Sequence, residues 1–111
     1  MNKPVQYYFI IGSKQFLVNE EPLEEVLRER VQHYSSNDKP IDFWLLPNPS
    51  FLNAKVLNGL MDQVPSNSLA IVSTNKVFIT WLKLRLNNVL SGQFSAPSDD
   101  IICPLAYDGS N

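Results

Sequence analysis

Covalent catalysis by a side chain needs a nucleophile with a base beside it, and this chain offers one cysteine and one histidine for that work, Cys103 and His33. Cys103 sits in Ile101-Ile102-Cys103-Pro104-Leu105, and His33 on the polar side of a helix expected at about Glu20–Tyr34. Either the fold brings them together, or they are a half-buried tail cysteine and a solvated histidine. The second is the commoner case. One cysteine makes no internal disulfide and one histidine no His-rich metal site, so neither metal nor cofactor is expected. The carboxylates of Glu20, Glu21, Glu24 and Glu25 gather where the positive end of a helix favours them. Asp99 and Asp100 fall in a turn-rich tail, which leaves little sign of paired acid–base work. The turn Ser73-Thr74-Asn75-Lys76, between a strand and a helix, offers an anion backbone donors and a cation. It lacks the glycines that wrap a phosphate, and helix capping accounts for it.

Two charged residues are harder to explain. With Val77 at 0° and about 100° per residue, the apolar residues Leu84, Val77, Trp81, Phe78, Leu82, Leu86 and Ile79 cover an arc of about 220° on the last helix. A surface helix needs a stripe of only somewhat more than about 100°. The excess side carries Val77, Trp81 and Leu84, and Arg85 projects between Trp81 and Phe78. An arginine there needs an aromatic ring or a carboxylate, and arginine among aromatics is also the composition of an interaction hot spot. Asp42 opens the strand Ile41-Asp42-Phe43-Trp44-Leu45-Leu46, where alternation puts it on one face with Trp44 and Leu46. It either ties down the preceding turn in solvent or pairs with Arg85 or with a partner's basic group. Arg30 lies mid-face on the first helix, where a stem snorkelling to water accounts for it.

The elements that must hold these residues read as follows. Val5–Ile11 is a β-branched and aromatic strand, apolar on both faces and therefore central. The helix at about Glu20–Tyr34, with Pro22 in its first turn, leads to a turn-rich break and to a second strand at Ile41–Leu46. Ser50–Val64 reads as a short irregular helix and Leu69–Val72 as a third strand. A long helix follows from about Thr74 to Asn88, capped by Ser73, Thr74 or Asn75. Val89–Phe94 is a fourth strand, in which Gly92 implies a bulge. Two β-α-β halves in this order describe an α+β fold: a four-stranded antiparallel sheet with packed helices, in a ferredoxin-like arrangement. Residues 1–111 form one domain whose tail, from about Pro97, is loop-rich.

Composition limits the partners. Nine Lys+Arg against eleven Asp+Glu, a net −2, provides no basic footprint for nucleic acid. No apolar run approaches the roughly 20 residues of a membrane span, and the first residues lack a secretory signal.

Several blocks, taken in order, carry a resemblance. Ser13-Lys14-Gln15-Phe16-Leu17, Glu20-Glu21-Pro22-Leu23-Glu24-Glu25-Val26-Leu27, Ile41-Asp42-Phe43-Trp44, Ala70-Ile71-Val72-Ser73-Thr74-Asn75-Lys76 and Phe94-Ser95-Ala96-Pro97-Ser98-Asp99 closely resemble a small family of cyanobacteria and plastids, first catalogued as a hypothetical chloroplast reading frame. Its members are auxiliary subunits of the aerobic magnesium-protoporphyrin IX monomethyl ester oxidative cyclase. The resemblance implies a non-catalytic role beside a membrane-associated di-iron oxygenase, the catalytic subunit, which closes the fifth ring to give protochlorophyllide. It places partner binding on Asp42, Phe43 and Arg85. Trp81 and Leu84 then border that surface or form a homodimer contact. The implied location is the cytoplasm of a cyanobacterium or the plastid stroma, with thylakoid contact only through the partner. A rival reading makes the chain a tetrapyrrole carrier with an apolar groove beside Trp44 or Trp81.

Overall fold

A strand that is apolar on both faces belongs inside a sheet covered on both sides, and Val5–Ser13 (β1) takes that place in the computed structural model. The structure describes residues 4–20, 23–37, 42–53, 59, 63–64, 67–86, 89–98, 101 and 103–105. β1 is flanked by Ser68–Ser73 (β3) and Leu90–Ala96 (β4), and Phe43–Pro47 (β2) lies beyond β3. The spatial order is β2-β3-β1-β4, with every pairing antiparallel. Leu23–Ser36 (α1) connects β1 to β2, and Lys76–Arg85 (α2) connects β3 to β4. The expected α+β class and four-stranded antiparallel sheet are those observed.

Alternation along the strands divides the core in two. On one face, Ile10 and Ile71 pack with Leu27 and Tyr34 of α1, Phe78, Ile79 and Leu82 of α2, and Phe43 of β2. On the other face, Phe9, Ile11, Ala70 and Val72 pack with Leu46, Phe51, Phe94 and Ile101. Among the described residues, a short 3₁₀ turn and part of the tail cover this second face. Phe51 comes from a 3₁₀ turn, Ser50–Asn53, and Ile101 from the tail. The Phe51 ring lies 4.6 Å from that of Phe94 and 4.8 Å from that of Phe9, centroid to centroid. Ile101 is anchored by Ser98, whose backbone N–H donates to its carbonyl at 2.8 Å and whose hydroxyl accepts from its N–H at 3.0 Å. Part of the loop-rich tail is therefore core.

Boundaries shift where tertiary packing intervenes. The described first helix is Leu23–Ser36, and a π-helical turn, Phe16–Glu20, precedes it and buries Leu17. Pro22 lies outside the described residues. The last helix is shorter than expected. It ends at Arg85, and Leu86 turns extended (φ −107°, ψ 113°) while staying buried. Asn87 and Asn88, the expected end of that helix, lie outside the described residues, as do Ile41 and most of the helix expected over Ser50–Val64.

Gly92 does not mark a bulge, because its pairing with Phe9 continues the β1–β4 register without interruption. It marks a close approach instead. A Cβ there would lie 2.6 Å from Phe9 Cζ and 3.0 Å from Phe9 Cε2. The Phe9 ring is fully buried and has little room to yield. Gly92→Ala is therefore expected to destabilise the fold by about 1–3 kcal/mol, the cost of overpacking. Urea denaturation checks this, and an unchanged midpoint would refute the steric account.

Candidate functional site

The site is assembled from the end of β3 outward. The Ser73 hydroxyl is fully buried, donates to the Asp42 carbonyl at 2.9 Å and accepts from the Asn75 N–H at 2.9 Å. Asn75 caps α2, its side-chain oxygen accepting from Phe78 N at 3.2 Å. The Ser73–Lys76 turn is thus explained as a cap. The same hydroxyl fixes Asp42 at the entrance to β2, beside the start of α2.

Asp42 precedes β2 rather than belonging to it, so strand alternation does not set the direction of its side chain. Its carboxylate accepts from the Tyr34 hydroxyl at 2.8 Å, on the helical side of the sheet. Tyr34 Oη in turn accepts from Arg30 Nη2 at 2.5 Å. Among the described residues, the partner of the Asp42 carboxylate is therefore this tyrosine and not Arg85. Arg30 does not carry its head out to water as expected. Its guanidinium lies 3.7 Å from the Phe78 ring centroid and 4.8 Å from that of Tyr34. Arg30 and Tyr34 are four residues apart on α1, and that spacing was the signal available in sequence. The onward link to Asp42 had no local signal.

Phe43 is buried, packed edge-on to Tyr34 at 6.1 Å and tilted against Phe78 at 5.4 Å. It supports the surface from beneath. Phe78 stacks with Trp81 at 6.4 Å, and the Arg85 guanidinium stands 5.7 Å from the Trp81 centroid. A continuous path of rings and cations thus runs from Asp42 through Tyr34, Arg30, Phe78 and Trp81 to Arg85. Four of the five residues singled out from sequence lie on or beneath it, and Leu84 extends the exposed side of α2. That helix divides its wide apolar arc as the arithmetic required: Phe78, Ile79 and Leu82 are buried, whereas Val77 and Leu84 are each 77% exposed and Trp81 is 47% exposed. Between α1 and α2 lies a groove of about 410 Å³, lined by Glu29, Arg30, His33, Val77, Phe78 and Trp81.

Cys103 and His33 are not brought together. His33 lies exposed near the end of α1, with an amide of Asn37 3.5 Å from its Nδ1. Cys103 is exposed between Ile101 and Leu105, both of which pack on the opposite face of the sheet.

Burial raises the pKa of the Tyr34 hydroxyl above the ordinary tyrosine value, and its hydrogen bond to Asp42 adds to the rise while the Arg30 charge opposes it. The folded chain therefore holds this proton more tightly than the unfolded chain. The resulting stability is complete below the ordinary tyrosine range and is lost as pH rises through the folded-state value. Urea midpoints are expected to fall above about pH 10, and to fall less steeply in Tyr34→Phe. Equal slopes in the two proteins would refute the linkage.

With this geometry in place, comparisons with known proteins agree among themselves. A family model described as Ycf54 protein matches residues 5–96. The ycf54 protein of Porphyra purpurea is 56% identical over 88 residues, spanning 79% of this chain and 82% of that protein. The solved structure of the Ycf54 protein from Synechocystis sp. PCC6803 superposes with a TM-score of 0.90 at 50% identity, covering 95% of this chain and 98% of that one. A chloroplastic YCF54 protein of Arabidopsis thaliana is 34% identical over 96 residues, which is 86% of this chain and 44% of that protein. On the strength of a match that spans the whole sheet with α1 and α2, this chain belongs to the Ycf54 family, whose members occur in cyanobacteria and in chloroplasts.

Proposed function

We propose that the chain is a non-catalytic accessory subunit of the oxygen-dependent magnesium-protoporphyrin IX monomethyl ester cyclase. In this reading it docks on the di-iron catalytic subunit and supports formation of protochlorophyllide, and bond-making is left to the partner. The observation that carries the docking half is the exposed face of α2. Val77, Trp81 and Leu84 stand out in solvent beside Arg85, although the same helix already buries Phe78, Ile79 and Leu82 in the core. Apolar and aromatic side chains with an arginine at their edge are what protein interfaces enrich. The pathway half rests on the family resemblance of the sequence blocks. Among the described residues no helix is long and apolar enough to cross a membrane, which fits contact with the thylakoid through the partner. The working location is then the cyanobacterial cytoplasm or the plastid stroma.

Deleting the gene in its photosynthetic host tests the reading by pigment analysis. Accumulation of magnesium-protoporphyrin monomethyl ester with little protochlorophyllide is expected, and an unchanged ratio would refute it. Titration of the isolated chain with the porphyrin separates the rival. Tight, saturable binding in the absence of the partner would replace a docking subunit with a tetrapyrrole carrier.

A further inference from the structure

The edge of a sheet is a row of unpaired N–H and C=O groups, and proteins commonly blunt it with charge, proline, a bulge or a covering segment. β4 lies at one edge of this sheet. Its residues, Leu90–Ala96, include no charge and no proline, and its register with β1 runs without a bulge. The direction of its backbone groups follows from the ladder. The Lys14 N–H donates to the Asn67 carbonyl at 3.0 Å. This bond continues the β1–β3 register and turns the even-numbered residues of β1 toward β3. The odd-numbered residues of β1 therefore bond to β4, through Leu90, Gly92, Phe94 and Ala96. Ser91, Gln93 and Ser95 point their N–H and C=O groups away from β1, and all three residues are exposed.

The side chains of these residues lie on the face that carries α2, because Ser91 pairs with Ile10 and Gln93 with Tyr8. Between them and α2 is a cavity of about 310 Å³, lined in part by Lys76, Thr80, Lys83, Leu84, Ser91 and Gln93. Among the described residues, two cations and no acid line it. The Lys83 ammonium is tied to the approach of β4, where it donates to the Val89 carbonyl. A strand added about 4.8 Å beyond β4 would bond to Ser91, Gln93 and Ser95, and its opposing side chains would stand on the side of this cavity. Charge then selects the occupant. A second copy, paired antiparallel through β4, would set its own Lys76 and Lys83 on the same face across the seam, like charge against like. An acidic segment meets both lysines favourably. Leu84 belongs both to this cavity and to the exposed stripe of α2, so the edge continues the docking face. Resting on the docking reading above, we propose that β4 takes an extended acidic segment of the partner protein as a fifth strand, with a carboxylate side chain opposite Ser91 or Gln93 received by Lys83 and Lys76.

Amide hydrogen exchange of the purified full chain reads the edge directly. In the free chain the N–H groups of Ser91, Gln93 and Ser95 are expected to exchange fast, and those of Gly92 and Phe94 slowly. Adding the purified catalytic subunit is expected to slow the first three by about tenfold or more. Gln93→Pro removes one outward donor and leaves the ladder to β1 intact, as proline does in an edge strand. It is expected to melt near the wild type and to bind about tenfold more weakly, whereas Gln93→Thr keeps the donor and binds as the wild type. Lys76→Gln is expected to weaken binding several-fold at about 50 mM NaCl and less at about 300 mM, where exposed charges are screened. If Gln93→Pro does not fold, exchange at the three positions in the wild-type complex decides the matter. Slow exchange at those positions in the free monomer overturns the proposal, because the chain would then fill its own edge. A dimer of the isolated chain that Gln93→Pro dissolves also overturns it, in favour of a second copy. So does wild-type affinity in both Gln93→Pro and Lys76→Gln. If Arg85→Ala weakens binding while the three amides stay fast in the complex, this proposal alone fails. If the folded wild type does not bind at all, the docking reading fails and takes this one with it.

Discussion

Phe43→Ala is expected to lower the free energy of unfolding by about 3–5 kcal/mol, the usual cost of emptying a buried aromatic site. The ring is 7% exposed and fills the junction of three elements, touching Tyr34 of α1 and Phe78 of α2 from its place at the start of β2. None of these neighbours can close the gap alone. Tyr34 is held by hydrogen bonds to Arg30 and Asp42, and Phe78 by the N-cap and the Arg30 stack. Small domains have a total stability of only about 5–15 kcal/mol, so much of the variant would be unfolded in mild denaturant. Urea unfolding checks the magnitude, and a loss below about 1 kcal/mol would show that Phe43 is not the core residue described here. The result bears directly on function. Any failure of Phe43→Ala to capture a partner should follow its unfolded fraction, and Phe43→Leu should recover most of the capture.

Arg85→Ala and Trp81→Ala are expected to show the opposite pattern. Both side chains are exposed, and their mutual contact at 5.7 Å is a surface cation–π pair of small worth to the fold. Loss of stability should be slight, about 0.5 kcal/mol for Arg85→Ala and somewhat more for Trp81→Ala, which also gives up its stack on Phe78. Capture of the cyclase catalytic subunit should weaken by about 2 kcal/mol or more, roughly thirtyfold, if these residues form the hot spot. Co-purification and calorimetric titration provide the two readouts, and undiminished capture by both variants would remove the face of α2 from the interface. Asp42→Ala falls between the two classes. It deprives the nearly buried Tyr34 hydroxyl of its acceptor, so part of any lost capture would be lost stability, and Asp42→Asn, which keeps an acceptor, separates the two contributions.

Much of this molecule was legible one element at a time. The two-sided apolar run of Val5–Ile11 required a central strand, because no other position buries both of its faces. The arc on the last helix was wider than one core contact can cover, so Val77, Trp81 and Leu84 had to remain in solvent, as they do. A cap within Ser73–Asn75 followed from the same local chemistry, and the structure puts it on Asn75. These inferences hold because periodicity and capping act within a few residues, where backbone geometry leaves few choices.

What only the tertiary structure decided is which faces meet. Asp42 bonds to Tyr34 rather than to Arg85 because α1, not the end of α2, brings a hydroxyl to the mouth of β2. Phe43 went inside, and Arg30 lies against a ring on another helix instead of reaching water. Gly92 makes room for Phe9 rather than bending its strand, since the clash it avoids lies across the sheet and not along the chain. Each of these contacts joins elements whose relative placement depends on the packing of helices against the sheet, and no local spacing encodes that placement.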